Sequence, residues 1–253
     1  MDKKRIELAY GNNFTLGFSE MMFAGERKGV RMRPRRATPS VRKKPLPAPP
    51  LMTAQYETLD ALEAAAKTCT RCALAKARHT VVFGKGSRTP RIVFVGEAPG
   101  EQEDLQGFPF VGRAGKLLDK WLTAAGLTLN EVYIMNTLKC RPPENRDPLP
   151  EEKAACRPWF DRQLELLRPK FICALGKVGF GNLVPIEEGQ SFGQFRQKKF
   201  DYKGVPVVAT YHPSFLLRSP NMMPKVIEDL RFLLTIVDLP IPETLKHPTL
   251  SVE

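Results

Sequence analysis

The sequence predicts an α/β fold in which a central, mainly parallel four-stranded sheet is covered by helices on both faces. Three observations support this prediction. Short apolar runs of strand length recur along the chain, segments with helical spacing of apolar residues lie between them, and polar loops follow the runs. Strands that alternate with helices are typical of a parallel sheet, because each helix carries the chain back across the sheet.

Four runs are predicted to be buried strands, since they are short, apolar and rich in β-branched residues. They cover residues 91–95, 132–136, 171–175 and 205–210. The segment 185–204, which precedes the last strand, is expected to be a loop or a hairpin.

Helical spacing of apolar residues predicts four longer helices, at residues 58–67, 114–125, 151–167 and about 224–237. A short helix is expected after Gly179. Gly126 is placed to cap the second helix, and Pro158 predicts a kink or a break in the third.

Composition divides the chain into three predicted segments: a disordered, basic, Pro-rich arm at 1–50, a folded domain at 51–238 and a C-terminal tail at 239–253. The arm holds 12 Lys and Arg against 4 Asp and Glu and shows no sustained periodicity. It either raises affinity for a polyanion or is only a solvated tail. The formal net charge of the whole chain, +12, favours nucleic acid as a partner.

Other classes of protein are disfavoured by what the sequence lacks. No apolar run reaches the roughly 18–20 residues that a membrane-spanning helix needs, and no secretory signal is visible. We therefore expect a cytoplasmic protein, a monomer, with no membrane partner. Five cysteines in such a chain indicate intracellular thiols, not a disulfide scaffold.

The chain is organised around residues 91–115, where a strand, two loops and a helix start follow one another closely. The strand ends in the loop 96–100, which contains the acid Glu97. A second loop carries Phe108 and Phe110, and a glycine-bounded turn then opens a helix. Ligands bind at the carboxyl ends of strands in open α/β sheets, so this arrangement predicts a site for a flat polar ring attached to an anion.

Two further polar residues lie where strands end. Asn136 is the last residue of the second predicted strand, and His212 follows the fourth. Because the carboxyl ends of parallel strands meet at one edge of a sheet, both residues are expected to converge with the loop 96–100.

Four cysteines have a spacing that suits a metal centre. Cys69 and Cys72 form a C-x2-C pair, and Cys140 and Cys156 follow much later in the chain. Four thiolates hold either a tetrahedral zinc ion or a [4Fe–4S] cluster, and spacing alone does not choose between them. The fifth cysteine, Cys173, lies in a strand pattern and is expected to pack in the core.

The stretch GEAPGEQED…GFPFVGRAG resembles the first motif of the family 4 uracil-DNA glycosylases, the iron–sulfur class. Asn136 in VYIMNTLKCRPP, His212 in YHPSFLLR and the four spaced cysteines match the same family in the same order, over roughly residues 58–234. The resemblance implies a three-layer α/β/α sandwich and a glycosylase that removes uracil from DNA in base excision repair. It also favours a [4Fe–4S] cluster over zinc at the four cysteines.

A glycosylase must take the base out of the helix, hold the ring, read its edge and stabilise the charge that develops as the bond breaks. The resemblance assigns the stacking platform to Phe110. Asn136 offers donors and an acceptor that match N3–H and O4 of uracil, whereas cytosine presents the reverse pattern. His212 is predicted to donate to O2 of the departing base.

Glu97 is predicted to position or activate water, or to face the sugar cation. Glu101, Glu103 and Asp104 are held in reserve for this role. The best-known uracil glycosylases place an Asp where this chain has Ala98, so the identity of the general base stays open.

The loop 96–100 is also expected to line the uracil site through Gly96, Ala98 and Gly100. Gly100 stands where those enzymes have a Tyr that blocks the methyl group of thymine. Glu103 is predicted to exclude thymine instead, and Asn145 is predicted to hold Glu103 by a hydrogen bond.

The segment after His-Pro-Ser is predicted to contact DNA. Leu216 is expected to be the wedge that fills the gap left by the flipped base, and Arg218 to contact a phosphate. Ser214 and Arg113 are further candidates for phosphate contacts, the latter at a helix N-terminus.

A second hypothesis is a non-catalytic nucleic-acid-binding module in which an Fe–S or zinc site serves only as a staple. The joint presence of Glu97, Asn136 and His212 disfavours it, because a binding module needs no group that stabilises a leaving base. A related class binds uracil covalently through a His in an inserted loop, and the matching loop here, KCRPPENRDP, contains no His.

Overall fold

A six-stranded mixed sheet forms the centre of the structure, a computed structural model that describes residues 53–246. The strands are β1 (Lys85–Gly86), β2 (Ile92–Gly96), β3 (Val132–Asn136), β4 (Phe171–Leu175), β5 (Phe200–Tyr202) and β6 (Val205–Thr210). Their order across the sheet is β1-β3-β2-β4-β6-β5. The four inner strands are parallel, and each edge strand is antiparallel to its neighbour.

The four predicted strands are these four inner strands, with bounds that agree within one residue. The prediction of a four-stranded sheet is corrected to six strands within the described residues. The two edge strands have two and three residues, which is too short to show a periodic pattern in sequence. β5 and β6 form a hairpin, the second of the two options predicted for this part of the chain.

Helices cover both faces of the sheet. The α-helices in residues 53–246 are α1 (Leu59–Lys67), α2 (Glu101–Gln106), α3 (Arg113–Ala124), α4 (Pro150–Leu167), α5 (Gly176–Gly181), α6 (Pro213–Leu216), α7 (Met223–Ile236) and α8 (Glu243–Lys246). Short 3-10 helices lie at Thr53–Gln55, Ala73–Lys76, Pro143–Asn145, Phe192–Phe195 and Pro220–Met222. Of the kink or break predicted at Pro158, the break does not occur, since α4 continues through this residue.

Side chains that alternate along β2 divide the apolar core into two parts. Ile92 and Phe94 belong to the part that contains residues of α3 and α7. Val93 and Val95 belong to the part that contains residues of α1 and α4. Burial on both faces is typical of central strands in parallel sheets, and each buried side chain of this size contributes about 1.5–3 kcal/mol. The result is the expected three-layer α/β/α arrangement.

Helix α2 was not predicted, because its sequence EQEDLQ has no apolar stripe. Its acids lie in the first turn, near the positive end of the helix dipole, and Gly107 ends it in a left-handed conformation (φ 79°). Asp104, held in reserve as a catalytic acid, is buried here. It accepts hydrogen bonds from the backbone N–H and Nδ1 of His79 (3.0 and 2.8 Å), so its carboxylate is already engaged away from the loop 96–100.

The segment after α7 packs against the core, which corrects the predicted domain end at residue 238. Leu245 is fully buried, and Thr244 Oγ1 donates to the carbonyl of Ala124 (2.6 Å). Residues 239–246 of the predicted tail therefore pack with the folded domain.

The predicted arm at 1–50 and the last seven residues of the chain lie outside the described residues. Within the described part, every helix is too short or too polar to cross a bilayer.

Candidate active site

A pocket of about 390 Å³ opens at the carboxyl edge of the sheet. Its wall contains Glu97, Phe110, Asn136 and His212, the four residues for which the sequence predicted a common site. Three of them lie at the carboxyl ends of β2, β3 and β6, as expected for ligand sites in open α/β sheets. Phe110 comes from the loop between α2 and α3.

Asn136 lines the pocket at the end of β3, and its neighbour in β2 is Gly96, which was predicted to line the site but lies behind the pocket wall. Gly96 and Asn136 are opposite each other in the parallel register, and Asn136 is almost fully buried. No space for a side chain exists at Gly96, because the Asn136 amide and the Phe110 ring pack against it. These contacts fix the positions of the amide and the ring relative to each other.

Phe110 is held in a conformation that non-glycine residues rarely adopt, with φ +53°. Lys85 Nζ donates to its carbonyl (3.2 Å), and α3 packs so closely at Gly115 that no side chain would fit there. The Phe110 ring lies 5.5 Å from the His212 ring, centroid to centroid. Unusual backbone conformations of this kind occur preferentially at ligand sites, where surrounding contacts enforce them.

His212 is the N-cap of α6, and its imidazole is oriented by Ser214. The backbone N–H of Ser214 donates to Nδ1 (3.2 Å), and Ser214 Oγ lies 2.8 Å from the same nitrogen. Burial and the nearby positive charge of Arg218 lower the pKa of His212 to about 4. The ring is therefore neutral at pH 7. Because Nδ1 accepts from a backbone donor, the single ring hydrogen is on Nε2.

The pKa of the Glu97 carboxyl group is raised, mainly by burial and secondarily by the negative charge of Asp147. Its Oε1 is buried and has no hydrogen-bond partner among the described residues. The backbone of the same residue is fixed: its carbonyl accepts from Thr137 Oγ1 (2.8 Å) and from the Leu138 N–H (2.9 Å). Asn182 Nδ2 in turn donates to Thr137 Oγ1 (2.9 Å).

Glu103 lines the pocket, but its carboxylate is occupied by backbone donors. It accepts from the N–H groups of Gly100, Val111 and Gly112 at 2.9–3.1 Å. These bonds connect the loop 96–100 to the start of α3. Glu103 thus fixes the shape of the two loops that carry Glu97 and Phe110.

The prediction that Asn145 holds Glu103 was wrong. Asn145 Oδ1 accepts from Arg141 Nε (2.8 Å), whereas Glu103 is held by backbone groups. Asn145 still lines the pocket, as do Ala98 and Gly100.

The predicted DNA contacts divide into three groups. Ser214 and the exposed Arg218 line the pocket. Arg113 is the first residue of α3 and is exposed, outside the pocket wall. Leu216 is fully buried in the core, so the prediction that it is an exposed wedge was wrong. Its neighbours Phe215 and Leu217 are the partly exposed apolar residues of α6 and its C-cap.

Two segments that line the pocket were not predicted from the sequence. Gly176 and Lys177, directly after β4, line it, as does Asp147. The rule that loops at the carboxyl ends of parallel strands form the site also applies to the loop after β4. The position of Asp147 in a long proline-rich loop carried no comparable signal.

The four spaced cysteines line one small cavity of about 20 Å³ between α1, the loop after β3 and α4. All are free thiols. Three N–H donors point at their sulfur atoms: Trp159 Nε1 at Cys69 Sγ (3.3 Å), Arg78 Nη1 at Cys140 Sγ (3.4 Å) and the Lys139 backbone N–H at Cys156 Sγ (3.3 Å).

These thiols are hard to ionise without a metal. Burial, with a smaller contribution from the neighbouring sulfurs, raises the pKa of Cys156 to about 12 and that of Cys140 to about 11. A bound cation reverses this preference, because thiolates are the ligands. Within residues 53–246, no three His, Cys, Asp or Glu side chains converge closely enough to hold a single ion. Four thiols with N–H donors directed at sulfur fit the donor set of an Fe–S cluster.

Comparisons with known proteins agree with this geometry. The profile of the Uracil DNA glycosylase superfamily matches residues 83–231. The chain is 43% identical over 182 residues to a type-4 uracil-DNA glycosylase of Thermotoga maritima, covering 71% of this chain and 94% of the relative. It is 42% identical over 182 residues to a type-4 uracil-DNA glycosylase of Archaeoglobus fulgidus, covering 69% and 91%.

A type-5 uracil-DNA glycosylase of Thermus thermophilus is 35% identical over 118 residues, covering 41% of this chain and 53% of the relative. The similarity to the type-4 proteins thus extends over more of both chains. The matched region contains all four inner strands and the pocket at their carboxyl edge. The chain therefore belongs to the uracil-DNA glycosylase superfamily and, within it, to the type-4 family.

Proposed function

We propose that the pocket binds a uracil flipped out of DNA and that water then cleaves its N-glycosidic bond, leaving an abasic site. The observation that carries this proposal is the convergence of Glu97, Phe110, Asn136 and His212 on one pocket, although more than 100 residues separate the first from the last. A binding module needs none of the groups that stabilise a departing base. We also propose that the protein acts on DNA as a monomer in the cytoplasm.

Phe110 and Asn136 recognise the ring. The Phe110 face stacks on the base, a contact worth roughly 1–3 kcal/mol. The Asn136 amide accepts from N3–H and donates to O4. Cytosine leaves both groups unpaired, and a site built for such hydrogen bonds rejects mismatched bases strongly because buried polar groups lose their partners.

His212 stabilises the leaving group. As the glycosidic bond breaks, negative charge develops on the base, and a donor aimed at O2 lowers the barrier most where water is excluded. The neutral ring donates through Nε2, since Ser214 occupies Nδ1. Because the pKa of His212 is about 4, the ring is neutral near pH 7.

Glu97 faces the sugar side of the reaction. A carboxylate here positions the attacking water and offsets positive charge on the sugar as the bond breaks. The unpaired, buried Oε1 supports this role, because it is an acceptor with no other partner among the described residues.

The four cysteines would hold a [4Fe–4S] cluster through thiolate ligands. The cluster supplies covalent cross-links and no step of the hydrolysis. It would join the C-terminal end of α1, the loop after β3 and α4, and so support the segment that carries Asn136.

Arg218, Ser214 and Arg113 are proposed to contact phosphates around the flipped nucleotide. Arg218 and Ser214 lie at the pocket. Arg113 is exposed at the N-terminus of α3, where backbone N–H groups and the helix dipole favour an anion.

The test is the Asn136→Asp variant, assayed on a uracil-containing oligonucleotide followed by alkali and gel separation. We expect the single-turnover excision rate to fall by about 100-fold or more, because a carboxylate cannot donate to O4. The control is Asn130→Asp, the same change at an exposed residue before β3. Equal rates for Asn136→Asp and the control would remove Asn136 from the site.

A further inference from the structure

Lys139 is a charged residue buried in the interior, with 2% of its surface exposed. It lies in the loop after β3, between the strand that carries Asn136 and the cysteine cavity, whose wall it shares. Its Nζ is 5.7 Å from the centre of the Phe83 ring and 5.8 Å from that of the Phe160 ring. A lysine with so little contact with water is uncommon, because desolvation of its charge is costly.

On the side of the active site, Lys139 folds back onto the strand that precedes it. Its Nζ donates to the carbonyl of Asn136 (2.8 Å) and to the carbonyl of Phe83 (3.3 Å). Burial lowers the pKa of Lys139 to about 7. Both the charged and the neutral amine have N–H bonds for two carbonyls, so these contacts do not depend on its protonation state.

On the side of the cysteines, the backbone of the same residue is also engaged. The N–H of Lys139 donates to Cys156 Sγ (3.3 Å), and its carbonyl accepts from the N–H of Val82 (2.8 Å). One residue therefore contacts both the cysteine cavity and the backbone of Asn136.

An apolar side chain would fill the same space without the cost of desolvation. It would, however, leave the carbonyls of Asn136 and Phe83 without this donor. The contribution of Lys139 is therefore geometric. Without Nζ, the buried carbonyl of Asn136 loses its donor at the point where β3 ends, and the amide on the same residue becomes free to shift.

We propose that Lys139 is a positioning residue, which holds the backbone of Asn136 so that its amide meets the edge of uracil. The proposal rests on the proposed role of Asn136 in recognition. Displacement of a group that binds the substrate by about 1 Å is enough to reduce rates by about 100-fold. The hydrogen bond from Lys139 to the carbonyl of Asn136 can therefore affect the reaction although Lys139 does not contact the substrate.

The test is a double-mutant cycle that combines Lys139→Met with Asn136→Ala. Met has similar length and no donor. We expect Lys139→Met alone to lower kcat/KM for uracil excision by about tenfold or more. In the Asn136→Ala background the same change is expected to cost less than about twofold, because the group that Lys139 positions is already gone.

A merely structural lysine gives a different pattern, in which Lys139→Met lowers activity by the same factor in both backgrounds. That result would overturn the proposal. If Asn136→Ala alone left excision unchanged, the proposed role of Asn136 would fail instead, so the two failures are distinguishable. Iron content and thermal unfolding are measured on each variant, and rates are expressed per iron-loaded protein.

Gln163 provides a matched control. It is fully buried, and its Nε2 donates to the same Phe83 carbonyl (3.0 Å) and to the Tyr133 hydroxyl (3.1 Å), but not to Asn136. Gln163→Leu is expected to lower the unfolding temperature and to leave kcat/KM within about twofold. Should Lys139→Met fail to fold, the cycle is repeated with Lys139→Leu, which also lacks an N–H donor; equal losses in both backgrounds would overturn the proposal there as well.

Discussion

The backbone of Gly96 lies directly beside the side-chain amide of Asn136, so that a Cβ atom on residue 96 would stand 2.3 Å from Asn136 Oδ1. The same atom would stand 2.9 Å from Cζ of Phe110. Both distances are well below van der Waals contact. The absence of a side chain at Gly96 therefore allows the Asn136 amide and the Phe110 ring to occupy their positions at the same time.

The Gly96→Ala variant is expected to excise uracil about 100-fold more slowly than the wild type. The added methyl group must displace the Asn136 amide, the Phe110 ring or both, and small displacements of positioning groups have effects of this size. The measurement is the single-turnover rate on a uracil oligonucleotide, together with affinity for DNA that contains an abasic site, which should change little.

Gly193→Ala is the control for this substitution. Nothing lies within 4 Å of a Cβ built on Gly193, so its rate should equal that of the wild type. Full activity of Gly96→Ala would show that the amide and the ring are not held against each other in the working enzyme.

The position of the site was predictable because it follows from the topology. Apolar runs of strand length set the order of β2, β3, β4 and β6, and the carboxyl ends of parallel strands meet at one edge. Asn136 and His212 stand directly at such ends, which is why the sequence placed them in a common site with Glu97.

The predictions that failed concern side-chain direction in short elements. Leu216 and its neighbours form a four-residue helix. Which of its apolar residues faces the core depends on the position of α3, against which α6 packs, and the local sequence pattern does not contain this position. The prediction for Asn145 failed for a similar reason, because its hydrogen-bond partner depends on the path of a proline-rich loop. The burial of Lys139 was equally invisible, since a lysine in a loop is ordinarily solvated.

The loss of activity at low pH, the acid limb of the pH–rate profile, should reflect protonation of Glu97. Burial and Asp147 raise the pKa of Glu97, so its carboxylate is protonated, and activity is lost, at a pH above the ordinary carboxyl range. In Glu97→Gln this limb should disappear. The slower remaining rate should be independent of pH well above about 4, where His212 stays neutral.

The measurement is the single-turnover rate from about pH 4 to pH 8 for both proteins. Glu101→Gln is a suitable control, since Glu101 is exposed on α2 and its loss should leave the limb in place. An acid limb that is unchanged in Glu97→Gln would assign the ionisation to another group and would leave Glu97 without its proposed role.

Leu216 should affect stability and not DNA recognition. Leu216→Ala removes a fully buried side chain and is expected to lower the free energy of unfolding by about 2–5 kcal/mol, from the lost apolar burial and the cavity left behind. Leu217→Ala, at a partly exposed neighbour, should cost less. Thermal unfolding and affinity for abasic-site DNA separate the two effects. A Leu216→Ala protein with unchanged stability and weakened DNA binding would restore the wedge hypothesis.

Loss of one cysteine from the cavity should release the metal centre. Protein purified without oxygen is expected to be brown, with absorbance near 400 nm, if the four thiols hold an Fe–S cluster. Cys156→Ala should lose iron and this absorbance and unfold at lower temperature, because the link between α4 and the loop after β3 is broken. Cys173→Ala is the matched control, since this buried thiol lies in β4, away from the cavity, and its iron content should equal that of the wild type. A colourless, zinc-loaded wild-type protein would instead identify the cysteine cavity as a zinc site.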